Sequence, residues 1–373
     1  MANEQWTLID VVEKMSARQD VGLKPMRVAQ DIMTADVKTL ILDHTVKQCL
    51  QFMESHRVRH APVVDPPYGN QEKACFIGVV SRRDVLRLNA PDAENTDKED
   101  TDIRALRQLL TQIVARKPKS ASPQTPVQDV ISTMILHHID MVPVLDHGDV
   151  VGILTTTNLL KLLLGLDKIV GQLFPEPEHG VFPAGTDSKT STEAEIVFSW
   201  ISQTVQEIMS KELICLGPQD TLARAIEVTQ NAEIRHLLVT DEQGKLVGLV
   251  SDRDILRNLP YVARRPPSPP KRFREHLFAT RPSAKCLELP LERIMRQKVL
   301  HVMSGCGIFE AADTLFRKRI GCLPVLDDQE NLRGIVSVTD LMRALLAVYE
   351  PMDKSTSSQA ELAVMKSQAI ASA

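Results

Sequence analysis

Residues 246–257 read LVGLVSDRDILR: an apolar run broken by Gly248, a polar step through Ser251, Asp252, Arg253 and Asp254, and then apolar residues again. The same figure recurs three more times, as FIGVVSRRDVLR, VVGILTTTNLLK and LRGIVSVTDLMR, with its glycine at Gly78, Gly152 and Gly334. Self-similarity on this scale decides the fold before any local feature does, because each unit has an apolar face to bury and a neighbour of the same kind to bury it on.

The repeat extends upstream of the glycine. Each copy opens on a lead segment, DIMTADVKTL, EIMSKELICL or RIMRQKVLHV, with a weaker match at QIVARKPKSA. Next come apolar trios at helical spacing: Val46, Leu50 and Met53; Val127, Ile131 and Met134; Leu222, Ile226 and Thr229; Ile308, Ala312 and Leu315. Offsets of four and then three residues put each trio on one helix face. Short runs follow, APVVD, VPVLD, LLVTD and LPVLD, each long enough for one strand. After a turn the glycine strand leads into a helix at the S/T-x-x-D/N element. The unit reads strand–helix–strand–strand–helix, an α/β (α+β) fold of four β-α-β-β-α repeats. An amphipathic unit of under about 60 residues buries too little surface to stand alone, so the repeats are expected to pair. The linkers suggest the pairs. The widest gap contains PEPEHGVFPAGTDSKTSTEAE, rich in Pro, Gly, Ser and Thr. We expect an N-terminal helical segment over 1–23, a first module over 24–172, a linker over 173–199, a second module over 200–349, and a disordered Ser/Ala-rich tail over 350–373.

Composition narrows the function. The 373 residues are 43% hydrophobic and 25% charged, as in ordinary water-soluble proteins. A net charge of −4 weighs against a nucleic-acid binder. The N-terminal MANEQWTLIDVVEKM has no secretory pattern, and Lys161, Asp167 and Lys168 interrupt the greasiest run, so no membrane span is expected. Six scattered cysteines without a CxxC pair suggest reduced thiols in a cytoplasm. The chain has no P-loop, GxSxG or HExxH, which argues against an enzyme. His137-His138 lacks metal-ligand spacing and reads as a helix end; no metal site is expected.

The Ile-Met lead, the RHAPVVD-type strand and GLVSDRDILR with its three siblings together resemble the cystathionine-β-synthase (CBS) domain family, over roughly residues 25–350. The resemblance implies paired, pseudo-twofold modules that hold adenosine nucleotides between their sheets and regulate a partner activity.

Ser81 and Asp84, Ser251 and Asp254, and Ser337 and Asp340 admit two readings. S-x-x-D at a strand-to-helix junction is a capping box. Yet Arg83 and Arg253 put a cation in the first helical turn, where the dipole disfavours it and an anion would be welcome. The aspartate can then accept from both ribose hydroxyls, which is what the family resemblance implies. Arg59-His60 and Arg235-His236 precede the middle strand in the same two repeats, marking repeats 1 and 3 as phosphate-facing. Repeat 2 has Asn158 for the acid and Asp140-Met141 for Arg-His, so its site is expected to be weak or empty. Repeat 4 keeps Asp340 without the arginine, with Gly321-Cys322 before its strand. By resemblance, Thr39 and Cys215 line adenine pockets. The basic loop Arg264, Arg265, Lys271, Arg272 and Arg274 reads as a solvated connector, a phosphate clamp or a docking site for an acidic partner.

The expected function is a non-catalytic sensor of AMP, ADP, ATP or a related adenosyl ligand, with or without Mg²⁺, that controls a partner protein. The alternative is an oligomeric scaffold with vestigial clefts. The apolar segments LLKLLLGL and IVFSWISQTV suit a module-to-module interface, hence a homodimer.

Overall fold

A computed structural model describes residues 7–18, 26–65, 74–81, 84, 109–173, 197, 200, 202–232, 234–258 and 284–349. Arg83, the basic loop 264–274, most of the linker 173–199 and the tail 350–373 lie outside the described residues.

Each repeat is built on a hairpin. In repeat 1, β1 (Leu40–Ile41) runs parallel to β2 (His60–Asp65), which pairs antiparallel with β3 (Cys75–Ser81). Repeat 2 has β4 (Ala115–Arg116), β5 (Met141–Asp146) and β6 (Asp149–Thr155); repeat 3 has β7 (Cys215–Leu216), β8 (His236–Thr240) and β9 (Leu246–Ser251); repeat 4 has β10 (Val302–Met303), β11 (Cys322–Leu326) and β12 (Leu332–Ser337). The helices used below are α1 (Leu8–Arg18), α2 (Val46–Ser55), α3 (Val127–Leu136), α4 (Thr156–Leu173), α5 (Leu222–Asn231), α6 (Asp252–Asn258), α7 (Ile308–Lys318) and α8 (Val338–Ala347). Local chemistry sets their starts. The Thr45 hydroxyl accepts from the Gln48 amide at 3.3 Å, and the Gln48 side chain accepts from the Thr45 amide at 2.8 Å. Thr221 caps α5 with its hydroxyl alone, which accepts from the Arg224 amide at 3.3 Å.

In α3 and α7 the expected trios are buried whole, with Val130 or Ala311 beside them, whereas in α2 and α5 the buried face is displaced by one position. Cys49, Val130, Ala225 and Ala311 are all buried, whereas Leu50 and Ile226 only flank the core. In α5 the third core residue is Val228. Thr229 instead turns its hydroxyl back to the Ala225 carbonyl at 2.7 Å.

The role of the repeated glycine lies in the neighbouring repeat. The residue after each Ile-Met bonds to the residue after the partner's glycine: Thr34 with Ile153, Ser210 with Ile335, and Arg296 with Leu249, one beyond Gly248. In repeat 1 the visitor is β4, which pairs Ala115 with Val79. Repeats 1 and 2 therefore complete each other's sheets, and so do repeats 3 and 4. The lead methionine lies over the partner's glycine: a Cβ on Gly152, Gly248 or Gly334 would come within 2.2, 2.3 and 2.3 Å of the sulfur of Met33, Met295 and Met209. Sequence spacing gave no hint that the Ile-Met and the glycine belong to one contact.

The largest core joins repeats 2 and 4. Leu159, Leu163 and Leu166 of α4 share it with Ala312 and Leu315 of α7, Leu341 and Leu345 of α8, and Ile9 and Val12 of α1. Trp200 is buried there, edge-on to Phe309 with ring centroids 5.3 Å apart. LLKLLLGL and the described part of IVFSWISQTV are thus covered within one chain, which removes the exposed apolar surface that suggested a homodimer. The Ile9 amide donates to the Val348 carbonyl at 3.1 Å, and the Tyr349 hydroxyl to the Met26 carbonyl at 2.8 Å. No helix among the described residues is long and apolar enough to cross a membrane.

Candidate functional site

Capping and ligand contact are not exclusive at the S-x-x-D elements. The Asp84 Oδ2 accepts from the Ser81 amide at 2.8 Å and from its hydroxyl at 2.5 Å, and the Asp84 amide donates back to Ser81 Oγ at 3.3 Å. Asp254 with Ser251 and Asp340 with Ser337 repeat the pattern, with Ser hydroxyl bonds of 2.5 and 2.6 Å. In each case the cap engages one carboxylate oxygen. The other oxygen of Asp254 faces Arg296 Nη2 at 3.5 Å, and that of Asp340 faces Arg343 Nη1 at 3.1 Å. Nothing in the motif pointed to Arg296; its only signal is its place directly after Ile-Met, where the other repeats have Thr34, Ala115 and Ser210.

Repeat 2 shows how the same geometry closes a site. Asn158 Oδ1 takes the cap from Thr155, at 3.0 Å from the amide and 2.6 Å from the hydroxyl. Its Nδ2 donates to the Ile32 carbonyl at 3.0 Å and to Thr34 Oγ1 at 3.1 Å. The amide's donors and its acceptor are all occupied by repeats 1 and 2 themselves.

Strand register explains why Arg-His and S-x-x-D travel together. His60 pairs with Ser81 and His236 with Ser251, so both signals meet at one end of each sheet. The arginines, read as phosphate ligands, reach elsewhere in this structure. Arg59 Nη2 donates to the Arg319 carbonyl of repeat 4 at 2.6 Å. Arg235 Nη1 bonds Asp140 Oδ1 of repeat 2 at 2.7 Å, and its Nη2 bonds the His138 carbonyl. Both arginines fasten the opposite pair of repeats. Arg235→Ala is expected to cost about 2 kcal/mol in denaturant unfolding, below the range for fully buried pairs, because the two side chains keep 26% and 23% exposure.

A cavity of about 1090 Å³ opens where all four repeats meet. Among the described residues, eight lysines or arginines and three histidines stand on its wall against four carboxylates. Arg59, His60, Arg235, His236, Arg253, Ser81, Ser337 and Asp340 reach that wall; Asp84, Ser251, Asp254, Thr39 and Cys215 do not. Thr39 directly precedes β1, and Cys215 opens β7 beside Leu238. Burial pushes the Cys215 thiol up, which keeps it neutral and weakens it as a nucleophile.

Sequence reasoning missed a further set of wall residues. Arg57, His138 and Arg319 follow their helices at matching positions with φ of 54°, 50° and 54°. Glycine is the usual residue there, and a side chain costs about 1–2 kcal/mol in this left-handed region. A cation at a helix C-terminus recovers only about 0.3–1 kcal/mol.

Burial pushes the Asp340 carboxyl above the ordinary carboxylate range, against the Ser337 hydrogen bonds and the Arg343 charge that pull it down. A carboxyl raised in the folded chain holds its proton more tightly there than when unfolded. Its ionisation therefore lowers stability as pH rises through the folded value. Accepting two ribose hydroxyls requires the ionised form. In an Asp84→Asn/Asp254→Asn chain, AMP binding followed from neutral pH downwards is expected to fade above the pH at which an ordinary aspartate would protonate.

The profile of the CBS domain matches residues 28–90, 106–165, 205–261 and 291–347, more than half of the chain. The chain belongs to the CBS domain family. It is 23% identical over 355 residues to human 5'-AMP-activated protein kinase subunit gamma-3, a match spanning 90% of this chain and 62% of that protein. It is 25% identical over 228 residues to protein MJ1225 of Methanocaldococcus jannaschii, spanning 61% of this chain and 68% of that one. The crystal structure of MJ1225 superposes with a TM-score of 0.55 at 16% identity, covering 85% of this chain and 99% of its own. The CBS chain thus spans about three fifths of the length of the kinase gamma subunit it matches.

Proposed function

We propose that this CBS protein is a non-catalytic sensor of adenine nucleotides, built as two modules over 24–172 and 200–349, that passes ligand occupancy to a partner protein. The cation-rich cavity shared by four repeats carries this reading, because ribose-holding carboxylates lie at the sheet ends from which phosphates would enter it. Similarity to a kinase subunit named for its activation by 5'-AMP supports both the ligand class and the control of a partner. Asp84, Asp254 and Asp340 hold ribose; Ser81, Ser251 and Ser337 orient them. Arg83, Arg253, His60 and His236 receive phosphate, while Arg59 and Arg235 transmit its arrival, since they join the modules. Thr39 and Cys215 flank adenine. Repeat 2 stays empty because Asn158 is fully engaged. Six free cysteines suit a reducing cytoplasm.

Ligand binding shifts conformation only through unequal affinity for two states. Here the unequal contact is a phosphate that competes with, or reinforces, the bonds across the modules. A thermal-shift panel of AMP, ADP, ATP and S-adenosylmethionine, with and without Mg²⁺, tests the reading. At 100 times its dissociation constant a ligand adds about 2.7 kcal/mol per site, a shift of several degrees. A selective shift without turnover of ATP supports the sensor. No shift with any of them would leave the clefts vestigial and the protein a scaffold.

A further inference from the structure

Three of the four sheet exchanges close on sulfur. Met33, Met209 and Met295 each fill the space that a side chain on the partner's glycine would take, with the γ carbon 2.8, 2.8 and 2.9 Å from that Cβ position. The exchange into repeat 1 differs: there the Val114 side chain and the Ala115 carbonyl stand over Gly78. The three thioethers also differ in access. Met209 is 5% exposed, whereas Met33 and Met295 are half-buried. Among the methionines with described side chains, Met303 alone is more open, at 39%. The backbone donors beside the two half-buried sulfurs are already committed. The Arg296 and Leu249 amides donate to each other's carbonyls at 2.9 and 3.1 Å, and those of Thr34 and Ile153 do the same at 2.9 and 3.0 Å. The Met295 amide donates to the Leu291 carbonyl at 2.7 Å and the Met33 amide to the Ala29 carbonyl at 2.9 Å. Both side chains pack on apolar cores. A thioether asks for no hydrogen bond there, and its flexibility lets it fit the gap. A sulfoxide brings a polar oxygen that must be paired or hydrated. None of those amides can serve it without leaving the bridge that joins two repeats.

We propose that Met33 and Met295 are sites of reversible oxidation to methionine sulfoxide, and that this modification releases their lead segments from the partner's glycine strand. The oxidant is a hydroperoxide. A sulfur lone pair attacks one peroxide oxygen and the O–O bond breaks; sulfur is oxidised by two electrons, and from hydrogen peroxide the second oxygen leaves as water. A thiol-dependent sulfoxide reductase reverses the step: two thiols give up two electrons to form a disulfide, and the sulfoxide oxygen departs as water. Repeats 3 and 4 close both of their exchanges on methionine, whereas repeats 1 and 2 keep the sulfur-free one at Gly78. The chemistry requires no bound nucleotide and stands apart from the sensor reading.

The test treats the full chain with graded hydrogen peroxide and then with dithiothreitol, which restores oxidised cysteines but not sulfoxides. Peptide mass spectrometry follows each methionine beside the melting midpoint. Met303 is expected to oxidise first, without effect. Met33 and Met295 are expected to follow, and the midpoint to fall with them by about 5 °C, as one or two unpaired polar groups predict. Met33→Leu/Met295→Leu, which keeps side-chain volume, is expected to hold its midpoint through the same treatment, and Met303→Leu to lose it as wild type does. Methionine sulfoxide reductase with dithiothreitol is expected to restore the wild-type midpoint. Thioethers that persist at Met33 and Met295 once Met303 is fully oxidised, or that oxidise with no change in midpoint, overturn the proposal. So does an equal fall in the Met33→Leu/Met295→Leu chain. The wild-type measurements decide the matter should that double variant not fold.

Discussion

Asp254→Asn is expected to weaken adenosine-ligand binding in the repeat-3 cleft about a hundredfold while leaving the fold in place. The protein contains its own control for the second half of that statement. Asn158 shows that an amide oxygen can accept both bonds of the cap, at 3.0 and 2.6 Å, as Asp254 Oδ2 does at 3.0 and 2.5 Å. The helix start therefore survives the exchange, and the stability change should stay under about 1 kcal/mol. What is lost is the second acceptor oxygen and the negative charge, and with them the two charge-assisted bonds to ribose that the proposed function requires. The contact with Arg296, whose side chain is 53% exposed, contributes little to the fold. Isothermal titration and denaturant unfolding on one preparation separate the two effects. A stability loss with unchanged affinity would mean that the carboxylate is a cap and nothing more.

The largest loss of stability is expected from Gly78→Ala, about 3 kcal/mol, at the top of the range for overpacked sites. A Cβ at this position would lie 2.2 Å from the Ala115 carbonyl oxygen, which belongs to the backbone of β4 and cannot swing aside. Relief requires parting β3 from β4, and so undoing the exchange between repeats 1 and 2. Gly248→Ala is the paired comparison. There the obstacle is the Met295 side chain at 2.3 Å, which has rotamers to choose from, and about 1 kcal/mol is expected. Equal losses in the two variants, measured by urea unfolding, would show that the sheet exchange adds nothing to the role of the glycine.

These two sites also mark how far the sequence could be read. The hairpins and the helix starts were legible because their causes are local: alternating apolar residues, a turn, and a hydroxyl three residues before an acid. The register that brings His60 opposite Ser81 follows from the same hairpin. The exchange was not legible, since Met33 and Gly152 are bound by shape and lie in different repeats. Arg59 and Arg235 hold matching places in the sequence, but their contacts are 260 and 95 residues away, and charge alone does not say which anion or carbonyl a guanidinium will find. The apolar stripe of α4 signalled a partner surface. It could not signal that α7 and α8 of the same chain supply it.

The exchange of lead segments also sets an order of events during synthesis. A nascent chain that has emerged through Ser81 holds β1, β2 and β3 but not β4, so the sheet of repeat 1 stays open until residues 115–116 leave the ribosome. Repeat 3 waits likewise for Arg296 to bond Leu249. Helix α1, made before the repeats, finds its hydrogen-bond partner Val348 only when repeat 4 appears. A segment translated before all four repeats is thus among the last to settle, and the open edge of β3 is the point at which a holding chaperone or a second nascent chain would meet the protein.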